Sequence, residues 1–207
     1  AGSKEEGANV VQWARDGSDN QKWMLEQRIE PLEGTLIRSL LVQDRENDAD
    51  WSIVQSIQNG DPVFGDRDAV YTALPAQLAG AEYIRTACDS KNSSSDLAVF
   101  TAGAHITVYT ALDSRVTALP AWLKDWTATG LTAETDKGVQ FVLYSRQAAK
   151  GEQITLGSNG QSSGCVGYAV FAVGASRLVG DVNGDGIVNI KDCSRLFKHV
   201  NKTQPLW

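Results

Sequence analysis

The sequence predicts a mainly β protein built on an antiparallel β-sandwich, and three observations carry that prediction. Short segments alternate apolar and polar residues with a period of two, β-branched and aromatic residues fill them, and clusters of Gly, Asn, Asp and Ser separate them. Long runs of helical periodicity are few, so about seven to nine strands packed as two antiparallel sheets are expected.

The strands are read in chain order. "TLIRSLLV", "WSIVQSI" and "AEYIRTA" supply the first half, broken by "QNGDP" and then "DSKNSSSD". In "HITVYTAL", Ile106, Val108, Thr110 and Leu112 fall on one face, with Thr107, Tyr109 and Ala111 on the other. "LPAWLKDWTAT" is the exception: Trp122 and Trp126 stand four apart after Pro120, which predicts a short helical turn across one end of the sandwich. "VQFVLYS", "EQITLGS" and "CVGYAVFAV" complete the pattern around the break "GSNGQSSG". Residues 1–30 are polar and carry two Trp, and Pro31 and Gly34 in "IEPLEGTL" read as a linker. Three regions follow: 1–30, a β-sandwich over 31–176, and a distinct C-terminal segment over 177–207.

Composition excludes some partners. Hydrophobic residues make up 42% of the chain, as in a globular protein. A formal net charge of -6 argues against an electrostatic grip on nucleic acid or on an anionic membrane. No apolar run is long enough for a membrane span. The start, "AGSKEEGANV", has neither a basic region nor an apolar one, so a secreted protein is expected here as a mature chain or as part of a longer precursor. Cys88, Cys165 and Cys193 are widely spaced; a Cys88–Cys165 bridge and buried free thiols both fit them.

Catalytic motifs are scarce. The two histidines, His105 and His199, stand beside no serine or cysteine motif, and no G-x-S-x-G or H-E-x-x-H occurs. Asp66 and Asp68 in "FGDRDAV" are close enough in sequence to suggest a carboxylate pair for glycoside hydrolysis, or a loop ion-paired with Arg67. Binding is the better expectation. Aromatic rings pack on the C–H faces of sugars while Arg side chains bond hydroxyls or uronate carboxylates. Trp51, Tyr71, Trp122 and Trp126 are the candidate platforms, with Arg67, Arg85 and Arg115 as polar partners. The competing reading of each aromatic is a core position. From "VYTALDSRVTALPAWLKDWTATG" to "GEQITLGSNG", the segment resembles accessory β-sandwich modules of bacterial pectin- and plant-wall-degrading enzymes.

In the C-terminal region, "GDVNGDGIVNIKD" spaces oxygens for a calcium loop. Asp181, Asn183, Asp185, the Ile187 carbonyl, Asn189 and Asp192 fall at positions 1, 3, 5, 7, 9 and 12, with Gly186 at the sharp turn. Ca²⁺, a hard cation, takes six to eight such oxygens. The residues before the loop read as strand and linker, and those after it place Cys193, Leu196, Phe197 and Val200 on one helical face. A loop followed by one helix, closed by Asp rather than Glu, resembles a dockerin repeat over about Val179–Lys202. That resemblance implies Ca²⁺ as cofactor and, as partner, a cohesin module of a scaffoldin in a cellulosome. It implies cohesin contacts from Ile190, Lys191, Leu196 and Lys198. Dockerins usually carry two repeats and this chain carries one, which implies a fragment or a half module.

At the other end, "GANVVQWARDGSDNQKWMLEQ" resembles the closing repeat of a ricin-type β-trefoil lectin, with its Q-x-W at Gln21-Lys22-Trp23. By that resemblance Trp13 stacks on sugar and Asn20 bonds a hydroxyl, within a short β-trefoil fragment. Together the expectations describe the noncatalytic C-terminal portion of a secreted, cellulosome-associated enzyme that degrades plant cell-wall polysaccharide. The sandwich as itself a glycoside hydrolase or polysaccharide lyase, or as a pure spacer, is the alternative.

Overall fold

The computed structural model of the chain describes residues 31–175, Val182 and 190–200. The expected lectin-like segment at 1–30 lies outside the described residues. Ten strands and one α-helix are present among those described: β1 (Ile37–Val42), β2 (Ser52–Val54), β3 (Tyr71–Ala73), β4 (Glu82–Arg85), β5 (Ala98–Ala102), β6 (Ile106–Asp113), β7 (Thr127–Thr135), β8 (Gln140–Ala148), β9 (Gln153–Leu156), β10 (Ala169–Gly174) and α1 (Ile190–Val200). All strand pairs are antiparallel, in a three-stranded sheet of order β1-β5-β9 and a seven-stranded sheet of order β2-β4-β10-β6-β8-β7-β3. The mainly β sandwich predicted from alternation is the fold. None of the described helices is long and apolar enough to cross a membrane.

The centre of the large sheet is its most regular part. β6 pairs with β8 without a break from Ile106↔Ala148 to Asp113↔Phe141, and with β10 from Ala111↔Ala169 to Ile106↔Gly174. The alternation in "HITVYTAL" now has a cause. Ile106, Val108 and Leu112 point into a core shared with Ile37, Leu40, Phe100, Ile154 and Leu156 of the small sheet. Ala111 points the other way, into a second core with Tyr83, Phe141, Leu143 and Phe171.

That second core exists because residues 55–81 fold over the far face of the large sheet. Ile57, Val63, Phe64, Leu78 and the β3 residue Tyr71 pack there, and Tyr83 stacks on Phe171 at 5.8 Å between ring centroids. The run "YAVFAV" is apolar throughout because β10 is buried on both faces: Val170 and Ala172 enter the first core, Ala169 and Phe171 the second. Strict alternation marks a strand with one wet face, and β10 has none.

The short helical turn expected at "LPAWLKDWTAT" is a single 3-10 turn, Ala121–Leu123, after which the chain straightens into β7 from Thr127, a strand that the sequence pattern did not mark. β7 was hard to read because "TATGLTAET" lies near the sheet edge with mostly exposed side chains and a register shift between Ala128 and Thr132.

The small sheet is tied to the large one by a buried carboxylate. Glu82 on β4, 2% exposed, accepts hydrogen bonds from three consecutive backbone N–H groups: Thr35 at 2.7 Å, Leu36 at 2.5 Å and Ile37 at 2.8 Å. The Gln55 side-chain amide donates to the same carboxylate. Gly34 permits this approach, since a Cβ there would stand 2.1 Å from Glu82 Oε1. The buried Ile37 amide and the partly buried Thr35 and Leu36 amides are thereby satisfied by one carboxylate as the chain enters β1.

Glu82→Gln keeps the size but loses the charge and turns one acceptor into a donor facing N–H groups. It is expected to lower stability by about 3 kcal/mol or more, read from the urea midpoint. An unchanged midpoint contradicts the anchoring role.

Candidate functional site

Three connections meet at one end of the sandwich: β4 to β5, β6 to β7, and β9 to β10. Between them lies a cleft of about 720 Å³ lined by residues 91–96, by Pro120, Ala121 and Trp122, and by residues of the 157–162 loop. Its aromatic wall is Trp122, half-buried and held from several sides. The indole N–H donates to the Ser158 carbonyl at 2.9 Å, the ring meets Trp126 edge-on at 5.6 Å, and Tyr168 lies tilted at 5.3 Å. A Cβ on Gly157 would come within 2.6 Å of the Trp122 ring, so the backbone itself forms the seat. With its only donor committed, what Trp122 has left to offer a ligand is apolar ring surface.

The rest of the cleft is polar. Asn92, Ser94, Asp96 and Ser162 present amide, hydroxyl and carboxylate groups, and Lys91 stands at one margin. Its walls come from "KNSSSD" and "GSNGQSS", which alternation marks only as breaks between strands. Two Ser- and Asn-rich loops flanking a Pro-Ala-Trp turn were the available signal, readable only once the topology brings them together.

These loops are fixed by their own hydrogen bonds. Gln161 accepts from the Thr117 N–H and hydroxyl and donates to the carbonyls of Arg115 and Ser163. Asp113, 1% exposed at the end of β6, accepts from the Val166 amide at 2.7 Å and pairs bidentately with Arg115, Nε to Oδ1 at 2.9 Å and Nη2 to Oδ2 at 2.6 Å. Burial alone would raise the Asp113 pKa, but the hydrogen bonds from Arg115 and from the backbone amides of Val166 and Arg115 hold it below the usual carboxylate value.

Of the described residues expected to contact sugar, Trp122 alone lines this cleft. Tyr71 is corrected to a core residue: it is 0% exposed, with its ring against Phe141 and Phe171. Trp126, at 7%, and Trp51, at 3%, are likewise built into the first core, and the Trp51 N–H donates to Ser90 Oγ. Rings so enclosed have no face to offer a sugar. Arg85 donates to Ser52 Oγ, and Arg115 is engaged with Asp113. Arg67 pairs with Asp66 and Asp89, which raises its own pKa mainly through the Asp89 hydrogen bond. Asp66 also accepts the Cys88 and Asp89 amides, while Asp68 faces Lys137; the pair is a braced loop. Trp13 and Asn20 lie outside the described residues.

Cys88 and Cys165 are buried free thiols whose pKa values are raised, chiefly by burial. Of the six calcium-loop positions only Asp192 is described. It is 2% exposed, and its Oδ1 accepts the Val182 N–H at 2.9 Å, bringing together residues ten apart in sequence. Asp181, Asn183, Asp185, Ile187 and Asn189 lie outside the described residues. On α1, Ile190, Lys191, Leu196 and Lys198 are exposed, with Ile190 at 76% and the neighbouring Phe197 at 71%.

The low Asp113 pKa sets a pH dependence. A carboxylate depressed on folding stabilises the native state above its unfolded pKa, and that contribution is lost as pH falls through the folded value. Asp113→Asn is therefore expected to be less stable than the parent at neutral pH and to show a flatter stability profile between about pH 5 and pH 2, measured by urea denaturation. Parallel profiles for the two proteins contradict this.

No family model and no curated protein matches the chain. Among solved structures, it is similar to a beta-glucuronidase from glycoside hydrolase family 2, at 27% identity and a TM-score of 0.59, over 73% of this chain and 16% of that one. It also aligns, at 14% identity and a TM-score of 0.46, with a family 138 glycoside hydrolase described as targeting pectin rhamnogalacturonan II, over 73% of this chain and 17% of that one. The chain thus spans about a sixth of the length of the glycoside hydrolases it is similar to.

Proposed function

We propose that the sandwich is a noncatalytic carbohydrate-binding module of a secreted enzyme that degrades plant cell-wall polysaccharide, with the Trp122 cleft as its sugar site. The observation that carries this reading is the state of Trp122: a ring rigidly seated, its donor consumed, its remaining surface facing a cleft of hydroxyl and amide groups. A pyranose offers the matching surfaces, an apolar C–H face for the ring and hydroxyls for the polar rim. The likeness to the family 2 beta-glucuronidase supports a carbohydrate-active context. Among the described residues Asp96 is the one carboxylate lining this cleft, where hydrolysis by a carboxylate pair needs two.

The C-terminal segment is proposed to bind Ca²⁺ and to dock on a cohesin module. Asp181, Asn183, Asp185, Asn189 and Asp192 would hold the ion by side-chain oxygens and Ile187 by its carbonyl. The buried Asp192 carboxylate, drawn back to Val182, suits the closing position of such a loop. Bound Ca²⁺ would fix the loop and so the start of α1. Ile190, Leu196 and Phe197 would then give a partner an apolar surface, flanked by Lys191 and Lys198.

Calorimetry of the chain against pectic, xylan and β-glucan oligosaccharides is expected to show saturable heat with at least one. Trp122→Ala should weaken that binding by about tenfold or more, at an unchanged fold by circular dichroism. Heat with none of the three, or full affinity in Trp122→Ala, overturns the sugar site. For the loop, Asp181→Ala combined with Asp192→Ala should abolish calcium binding by calorimetry, and parental affinity in that variant removes the proposed ligands.

A further inference from the structure

A second cavity, of about 300 Å³, opens on the far side of the large sheet, at the end of the second core. It shares only Lys91 with the lining of the Trp122 cleft. Three segments frame it: the 64–69 loop, the turn at 88–91 and the β7–β8 hairpin. Its accessible apolar lining is Ala69, Val139 and Val166, each half-buried, and beneath them lie the buried rings of Phe64 and Phe141, edge to face at 6.4 Å.

The rim has the opposite character. Among the described lining residues, Arg67, Lys91 and Lys137 stand against a single carboxylate, Asp68. The Arg67 charge is countered by Asp66 and Asp89, and that of Lys137 by Asp68 and Asp136 at 3.5 and 3.3 Å, on side chains exposed to screening by solvent. Lys91 forms no ion pair among the described residues. Its Nζ donates to the Cys165 carbonyl at 2.9 Å, which leaves two ammonium protons to place.

A ligand for this cavity must be apolar in its body and anionic at one end. We propose that it binds a small aryl carboxylate, the ring against Ala69, Val139 and Val166 and the carboxylate at Lys91 and Lys137. A uronate is a poorer match, because its ring hydroxyls would face the apolar floor without partners. The one neutral hydroxyl in the lining, that of Thr135, is already engaged with the Val139 backbone at 3.2 and 3.4 Å. A neutral arene would leave the cationic rim unused. The volume suits one substituted ring. The two cavities open on different parts of the fold and share Lys91 alone among the described lining residues, so Lys137→Met is the variant that leaves the Trp122 cleft untouched.

Titration followed by ¹H–¹⁵N NMR, with benzoate, benzamide and glucuronate in separate arms, tests it. Benzoate is expected to give saturable shifts at the amides of Phe64, Val139, Phe141 and Val166, and benzamide and glucuronate are not. Lys91→Met and, as a second variant on a more exposed side chain, Lys137→Met should each weaken benzoate by about tenfold at an unchanged melting temperature. Lack of saturation with benzoate, equal binding of benzamide or of glucuronate, or benzoate affinity unchanged in both variants would overturn it.

Discussion

The middle of the large sheet is buried on both faces, and the rest of the molecule follows from that constraint. One face packs on the three-stranded sheet, the other beneath the 55–81 segment, so most of β10 and the second half of β6 have no solvent side. A β-sandwich with one open sheet face can lay a polysaccharide along its strands. Here the aromatic residues that would serve such a surface, Tyr71, Tyr83, Phe141 and Phe171, are spent on the second core. The clefts lie instead at the loop ends, where Trp122 sits, and at the margin of the second core, where Lys91 and Lys137 stand.

Both fully buried carboxylates of the sandwich serve architecture. Glu82 gathers three amides at the entry to β1, and Asp113 holds Arg115 and the Val166 amide beside the cleft. Each sits where the chain leaves regular pairing and backbone amides need other partners. Neither lines the Trp122 cleft, so their burial gives no support to an acid–base pair. Instead, Asp113 bears on the cleft indirectly, by holding Arg115 and the Val166 amide in the loops beside Trp122.

Legibility in the sequence followed exposure. β6, β8 and β9 were readable because one side of each alternates with a more polar other. β7 and the edge strand β3 were not, since strands at or next to a sheet edge with exposed side chains need few apolar residues, and the short β5 hid between a serine loop and a glycine turn. In the site, residue type was legible and depth was not. Trp122 and Trp126 have the same identity and adjacent contexts, yet one reaches a cleft and the other is sealed by Leu123 and its neighbours in the first core. The polar rim was hidden for a different reason: its residues come from loops more than sixty positions apart, joined only by the strand order β4-β10-β6.

The proposed sugar site lies at the loop end and not on a strand face. Hydrogen–deuterium exchange with and without saturating oligosaccharide separates the two. Added protection confined to peptides spanning 91–96, 120–124 and 157–162, with the strands unchanged, is the expected result. Protection along β6, β8 or β7, with the loops unaffected, would contradict it.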